Sequence, residues 1–327
     1  MDTTDDIADD VDETTAAVCS LPFVPPGVKQ MQDEDESCTH LSAVPSAIGD
    51  AREPCILGVD EAGRGPVLGA MVYAACYCLK TYADSSLASH GFADSKVLTH
   101  DARMHLFSRI CDDSSLGTDT NSTELFDNIG YATRIMSARD ISRGMLRPYT
   151  SRVYNLNEQA HDATIQLICN VLAQGVNVTE IYVDTVGPPA TYQAKLSRHF
   201  PLIQITVTKK ADSLFPIVSA ASVVAKTTRD AALWSRSENA QDEDLDSWGS
   251  GYPSDARAVN WLKTNLDPVF GWTDVVRFSW QTTKDLLDKY ENVKLVEWHD
   301  PNGKLEFKPP PQQPALPWFG NPVTSEF

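Results

Sequence analysis

The sequence predicts an α/β protein with a mixed central sheet and helices on both faces. Three observations carry this prediction. Short apolar runs bounded by Gly and Pro are typical of buried strands, longer helical patterns alternate with these runs, and the strand patterns end in carboxylates. In an α/β sheet, ligands gather at the carboxyl ends of the strands. The sequence therefore predicts a functional site at that edge of the sheet.

The composition fits one large domain with appendages. The chain has 327 residues, of which 42% are hydrophobic, and a formal charge of −18. Residues 1–50 hold twelve acids and one base, a net charge of −11, which leaves −7 for the remainder. Such acidity argues against wide, non-specific contact with nucleic acid. A nucleic-acid enzyme of this charge would need a local positive field, metal ions or partner proteins.

Several features of the sequence bear on the cellular compartment of the protein. Seven cysteines without a CxxC pair indicate reduced thiols, as in cytosolic or nuclear proteins. The N-terminus is acidic and no apolar segment is long enough to span a membrane, so we expect neither a signal peptide nor membrane insertion. Residues 1–50 lack periodicity and are predicted to form a disordered acidic tail.

The first apolar hairpin contains the largest group of candidate functional residues. Its first strand ends in Asp60 and Glu61, which precede a glycine-flanked arginine, Arg64, and Pro66. Two adjacent buried anions repel each other, so they need a cation or a proton between them. Carboxylate oxygens suit Mg²⁺ or Mn²⁺, and the arginine fork suits a phosphate. This stretch predicts a site for phosphate chemistry.

Helices and strands alternate farther along the chain. The patterns predict helices over 101–111, 154–174, 192–199, 216–236, 255–266 and 282–292, and strands over 180–184 and 203–208. The first of these strands ends in Asp184, and the second runs into Lys209, Lys210 and Asp212. We expect both acids to converge with Asp60 and Glu61. For any one acid the alternative is a turn or cap residue; Asp212 could simply cap the next helix.

The stretch Val59–Pro66 resembles the opening motif of the type 2 ribonucleases H. The match continues through Tyr73–Cys78 and later motifs, over about residues 52–300, and looks like the catalytic A subunits of the eukaryotic heterotrimeric enzyme. The resemblance implies a ribonuclease H-like fold with a C-terminal helical extension. The expected organisation is a tail (1–50), a catalytic domain (51–247) with a loop insertion (112–128), a helical region (248–307) and a Pro-rich tail (308–327).

The resemblance also implies roles for individual residues. Asp60, Glu61, Asp184 and Asp212 would be catalytic and would bind two Mg²⁺ (or Mn²⁺) ions. The implied substrate-binding residues are Gly63, Arg64, Gly65, Lys96, Asn155, Lys209, Lys210 and Tyr252. The Gly-Arg-Gly loop would read the 2′-hydroxyl, and the tyrosine would stack on the neighbouring deoxyribose. The alternatives are a solvated lysine at 96, a solvated lysine pair at 209–210 and an ordinary packed ring at 252.

The implied function is an endoribonuclease that cuts 5′ to a ribonucleotide in RNA/DNA hybrids and in duplex DNA with embedded ribonucleotides. It would leave a 3′-hydroxyl and a 5′-phosphate, and would serve ribonucleotide repair and primer removal in the nucleus, with the cytoplasm as a second compartment. Two accessory subunits are implied as partners. The segment Gln313–Phe319 loosely echoes a sliding-clamp motif, although Gly320 replaces its last aromatic residue; docking on a partner protein or on the core are the alternatives.

Other functions fit the sequence less well. A transposase or junction resolvase of the same fold would use similar carboxylates without this Gly-Arg-Gly loop and tyrosine. A zinc hydrolase would need His or Cys clusters, and the seven histidines form neither HExxH nor HxH. A non-catalytic nucleic-acid scaffold would gain nothing from four acids that face phosphates.

Overall fold

Two long apolar strands form the centre of the sheet. The structure is a computed structural model, and it describes residues 23–34, 36–49, 53–92, 98–111, 124–147, 154–185, 187–239 and 248–289. The six strands are β1 (Cys38–Leu41), β2 (Cys55–Ala62), β3 (Met71–Leu79), β4 (Gly130–Met136), β5 (Val178–Asp184) and β6 (Gln204–Thr208). β2 and β3 are almost continuously buried because helices cover both of their faces.

The sheet has the strand order β1-β4-β3-β2-β5-β6. β2, β5 and β6 are parallel to each other, whereas the remaining pairs are antiparallel. The prediction of a mixed sheet is therefore confirmed. Since β3 is antiparallel to both of its neighbours, β4 runs in the same direction as β2, and both end at the same edge.

The helices follow the predicted order, with additions. They are α1 (Pro26–Glu34), α2 (Lys80–Ser85), α3 (His100–Ile110), α4 (Glu124–Asn128), α5 (Ala138–Met145), α6 (Leu156–Ala173), α7 (Pro189–His199), α8 (Ala211–Leu214), α9 (Pro216–Asn239), α10 (Ala256–Thr264) and α11 (Gln281–Lys289). α9 packs on one face of the sheet with α1 and α3, and α6 and α7 pack on the other. None of the described helices is both long and apolar enough to cross a bilayer.

α9 lies very close to the central strand. A Cβ atom at Gly58 of β2 would come within 2.6 Å of the backbone carbonyl of Ile217. The facing positions of the helix are small and fully buried: Ser219, Ala220, Ala221, Ser222 and Ala225. This small-residue face packs on the sheet and brings the helix next to the end of β2.

The prediction of a disordered tail is wrong for residues 23–49. α1 and β1 lie in this segment, and β1 extends the sheet by pairing with β4. Phe23, Val28 and Met31 are buried against the α9 side of the core. These few apolar residues are spaced among many acids. The prediction of disorder followed the acidic composition and missed them. Residues 1–22 lie outside those described.

Three elements between the helices predicted at 101–111 and 154–174 were missed. The expected loop insertion at 112–128 is wrong at its end, because α4 buries Leu125; residues 112–123 lie outside those described. β4 and α5 follow directly, where the sequence predicted no element. Arg134 interrupts the apolar pattern of β4, and α5 is short, with its start fixed by the Ser137 hydroxyl, which accepts from the Asp140 amide at 3.1 Å.

The C-terminal helices form a separate small core. Trp248, Trp261 and Trp272 pack with Val67 and Leu68, which follow the Gly-Arg-Gly loop in sequence. The predicted helical extension is thus confirmed over the described residues. The boundaries predicted at 247 and 307, the end of the helix predicted to 292, and the Pro-rich tail with its clamp-like segment fall outside the described residues.

Candidate active site

The carboxylates lie at the carboxyl ends of adjacent parallel strands. Val59 of β2 pairs with Val183 of β5, so the next residue on each strand, Asp60 and Asp184, reaches the same level at the sheet edge. We call Asp60, Glu61, Asp184 and Asp212 the carboxylate edge. Strand register thus brings together acids that are far apart in sequence.

Asp60 and Glu61 lie on opposite faces of the sheet, as neighbouring strand residues must. Asp60 is 6% exposed and lies on the α9 side, where the Ser222 hydroxyl favours its charged form. Its Oδ1 accepts from the Glu61 amide at 2.7 Å. Burial, reinforced by the charge of Asp184, raises the pKa of Asp60 well above its ordinary value.

Glu61 points to the α6 side. Its Oε1 lies 3.8 Å from Nη1 of Arg64. Burial raises the pKa of Glu61 to about 7; the charge of Asp184 adds to this rise, and Arg64 opposes it. Both carboxyls of this pair would therefore hold protons more tightly than an exposed acid.

The turn that precedes Asp212 contacts Asp184. Lys210 has a φ of 58°, in the left-handed region, and this turn directs the amide of Ala211 to Oδ1 of Asp184 at 3.0 Å. Burial raises the pKa of Asp184, and the charge of Asp212 adds to the rise. Asp212 lies within α8 and accepts from the Ser213 amide, so it does not cap the long helix that begins at 216.

The donor set fits a divalent cation by its chemistry. All four groups are carboxylates, which Mg²⁺ and Mn²⁺ prefer. Burial raises the pKa values of Asp60, Glu61 and Asp184, and the charge of a neighbouring carboxylate adds to each rise. As the side chains stand, no three Asp, Glu, His or Cys residues in the described part of the chain close on a single point. The fit therefore rests on donor type and mutual repulsion.

A tight loop follows the carboxylates. We call Gly63, Arg64 and Gly65 the reading loop. Gly63 has a φ of 79°, and a Cβ there would lie 2.8 Å from the Ala70 carbonyl oxygen, so no side chain fits. The guanidinium of Arg64 donates to the side chain of Asn157 in the first turn of α6. Asn155 caps that helix by accepting from the amides of residues 157 and 158 at 3.0 Å.

Tyr252 lies directly against the reading loop. A Cβ atom at Gly65 would be 3.0 Å from Cε1 of the tyrosine ring. The Gly251 carbonyl accepts from the amide of Val67 at 2.8 Å, and the Arg229 guanidinium lies 5.8 Å from the ring centroid. The structure thus brings the tyrosine and the loop together across nearly two hundred residues of sequence.

Arg277 binds the backbone of the reading loop, a role that the sequence analysis missed. It is fully buried. Its guanidinium donates to the carbonyls of Gly63 at 2.6 Å, Gly69 at 2.9 Å and Arg64 at 3.2 Å. Burial lowers its pKa to about 9, and the charge of Arg229 adds to this. The signal in the sequence was a single charge within the apolar run that precedes Trp280.

Trp280 completes this support. Its indole Nε1 donates to the Gly65 carbonyl at 2.9 Å, and its ring lies 4.8 Å from the guanidinium carbon of Arg277. Every backbone carbonyl of the reading loop therefore accepts from one of these two side chains.

Comparison with known proteins places this geometry in a family. The family model described as ribonuclease HII matches residues 57–283. The chain belongs to the ribonuclease HII family. It is 51% identical to the A subunit of ribonuclease H2 from Neurospora crassa, over 85% of this chain and 84% of that protein. It is 47% identical to the A subunit of human ribonuclease H2, over 82% and 83% of the two chains.

A solved structure agrees with this assignment. The ribonuclease HII of Archaeoglobus fulgidus, determined as a complex with PCNA, is 25% identical, with a TM-score of 0.56 over 72% of this chain and 98% of that one. The prediction of a ribonuclease H-like fold and of a ribonuclease H hydrolase that resembles the eukaryotic A subunits is confirmed.

The remaining predicted contacts of this ribonuclease HII chain are less defined. Lys209 and Lys210 have exposed side chains at the end of β6, so both a backbone contact and a solvated pair stay open. Lys96 lies outside the described residues. The roles assigned to the four acids, the reading loop, Asn155 and Tyr252 stay predictions, and the structure supplies their positions.

Proposed function

We propose that this ribonuclease H cuts the phosphodiester 5′ to a ribonucleotide, in RNA/DNA hybrids and in duplex DNA with an embedded ribonucleotide, leaving a 3′-hydroxyl and a 5′-phosphate. One observation carries the proposal: the ring of Tyr252 lies against Gly65, in the loop that directly follows the carboxylates. A group that can read a sugar is thereby placed next to the groups that would cut beside it.

The carboxylate edge would hold two divalent cations, Mg²⁺ or Mn²⁺, through Asp60, Glu61, Asp184 and Asp212. When bound, such ions supply an activated water and stabilise the charge of the leaving oxygen. The chain contributes the positions of Asp60, Glu61 and Asp184 through strand register, and it buries Asp60. Backbone amides hold one oxygen each of Asp60 and Asp184, which restricts how these side chains can turn.

The reading loop would recognise the ribonucleotide. Arg64 is partly exposed, at 29% of its side chain, so its fork can reach a phosphate while Glu61 and Asn157 hold it. Gly63 and Gly65 allow the backbone to approach a sugar closely, and the 2′-hydroxyl is what distinguishes RNA from DNA. Because Arg277 and Trp280 bind the carbonyls of the loop, its shape is set before the substrate arrives.

Tyr252 would test the next nucleotide. Its ring can stack on a deoxyribose that follows the ribonucleotide, which favours an RNA–DNA junction.

We also propose that the protein works with two accessory subunits, in the nucleus, in ribonucleotide repair and primer removal. Support for partners comes from the net charge of −7 outside residues 1–50 (−18 less −11), which fits a protein that relies on partners for part of its affinity for nucleic acid. A sliding-clamp contact through Gln313–Phe319 is supported by that segment and by the archaeal relative solved with PCNA.

The test uses the full chain, recovered from its own cells with whatever co-purifies. Wild type and Asp184→Asn are offered, with Mg²⁺, a DNA duplex with one ribonucleotide and the matched all-DNA duplex. We expect one cut 5′ to the ribonucleotide with a 5′-phosphate end, absent in the variant and absent in all-DNA. Equal cutting by both proteins would show a contaminating nuclease and refute the site, and no cutting by either would refute the activity.

A further inference from the structure

A groove lined by arginines opens beside the carboxylate edge. Its volume is about 630 Å³. The basic lining residues are Arg134 of β4, Arg143 of α5 and Arg147 just after α5, and Tyr154 and Gln159 form the wall from α6. We call this feature the arginine groove. Three positive charges here contrast with a chain whose formal charge is −18.

The single acid in the lining is already bound. Asp140 accepts from the Ser37 hydroxyl at 2.6 Å and from the Ser37 amide at 3.1 Å. In the described part of the chain, no acid lies within ion-pair distance of Arg143 or Arg147, and both arginines are exposed. Their charge is therefore available to an anion.

Sheet register fixes how far the groove lies from the chemistry. Glu61 pairs with Tyr73, and Tyr73 pairs with Arg134, so the three residues form one row across β2, β3 and β4. Residues in one row share a face of the sheet, and two strand spacings correspond to about 10 Å. The arginine groove thus begins about 10 Å from Glu61, on the α6 side.

The first turn of α6 connects the groove to the reading loop. Asn157 in this turn accepts from Arg64, whereas Tyr154 and Gln159 line the groove, and Nε2 of Gln159 donates to the Tyr154 carbonyl at 2.9 Å. The Arg147 guanidinium lies 4.8 Å from the ring centroid of Tyr154. The start of α6 therefore lies between Arg64 on one side and Arg147 on the other.

We infer that the arginine groove binds the phosphodiester backbone of the substrate duplex on one side of the cut. The inference rests on the proposed function and adds a second contact region to it. Arginine forks suit phosphate oxygens. At 3.4 Å per base pair, a distance of about 10 Å places the contact about three base pairs or more from the scissile bond.

The test measures binding separately from cutting. Duplexes with one ribonucleotide are titrated by fluorescence anisotropy against the complex purified from its own cells, at several salt concentrations, in EDTA so that they are bound without metal-dependent cutting. The short duplex ends about two base pairs beyond the ribonucleotide on the groove side, and the long duplex extends through the groove. The variant is Arg143→Ala with Arg147→Ala. The control is Lys29→Ala with Arg198→Ala, which removes two exposed charges from α1 and from the far end of α7.

Binding weakens as the salt concentration rises, so the slope of log K against log salt is negative. For the long duplex, we expect the groove variant to make this slope shallower by about 2, one for each lost phosphate contact. The short duplex and the control should keep the wild-type slope. Equal slopes for wild type and groove variant, or an equal loss in the control, would overturn the inference. So would an unchanged slope accompanied by loss of a co-purifying acidic protein. If the wild type binds as expected but never cuts, the proposed function fails while the groove stands.

Discussion

The carboxylate edge and the reading loop lie next to each other but are built in different ways. The sheet places most of the edge: Asp60, Glu61 and Asp184 lie at strand ends, where strand register aligns Asp60 with Asp184, and Asp212 lies in the short helix α8 after β6. The loop is placed by side chains from far along the chain, since Arg277 and Gly63 are 214 positions apart. The proposed chemistry would thus depend on the backbone ladder, whereas the proposed recognition would depend on a buried arginine and a tyrosine.

This difference implies that the two regions can fail separately. A change at the carboxylate edge should remove catalysis and leave the fold intact. A change in the support of the reading loop should weaken the fold and the choice of substrate together.

The largest expected effect is at the carboxylate edge. Asp184→Asn removes a proposed cation ligand, which would be worth about several kcal/mol in the transition state, so we expect turnover to fall by about a thousandfold or more. The free energy of unfolding should stay equal or rise, because a repelling charge is lost. Steady-state cleavage and urea unfolding measure both. Asp288→Asn, an exposed acid on α11, is the control; a large loss of stability in Asp184→Asn would contradict the separation.

The next effect is on the support of the reading loop. Arg277→Ala leaves three carbonyls without their donor, which should cost about 3 kcal/mol or more of unfolding free energy. Arg277→Lys keeps the charge without the fork and should cost less. Lys284→Ala, exposed in α11, should change stability by about 0.5 kcal/mol or less. Chemical denaturation measures all three, and an unfolding energy for Arg277→Ala equal to that of the control would refute the role of this residue.

The smallest effect is a pH dependence of stability at the carboxylate edge. Burial raises the pKa of Glu61 to about 7 from 4.5, so the folded chain binds this proton more tightly than the unfolded chain. Stability from this group is therefore present at low pH and is lost as the pH rises through about 7. Thermal melts in EDTA should show a fall of a few degrees in Tm that Glu61→Gln reduces. Adding Mg²⁺ should offset the fall, since the cation binds the ionised form; an identical pH profile in Glu61→Gln would contradict this.

Sequence alone was sufficient where one short segment carries the whole signal. The apolar runs that end in Asp60 and Asp184 predicted both the strands and the acids, because strand ends in an α/β sheet meet at one edge. The sequence failed at α1 and β1, where a few buried anchors such as Phe23 stand among many acids, and at β4, where Arg134 breaks the apolar pattern. Arg277 was missed because its partners are backbone carbonyls, which no sequence motif displays.

The most direct measurement compares Tyr252→Ala with Asp184→Asn on two substrates, each in the complex from its own cells. One substrate is duplex DNA with a single ribonucleotide, and the other is a hybrid with an all-RNA strand. We expect Asp184→Asn to lower kcat/KM equally on both. Tyr252→Ala should lower kcat/KM about tenfold on the first, as expected for a lost stacking contact, and much less on the hybrid, with Tyr252→Phe close to wild type. Equal losses on both substrates in Tyr252→Ala would contradict the separation of recognition from catalysis.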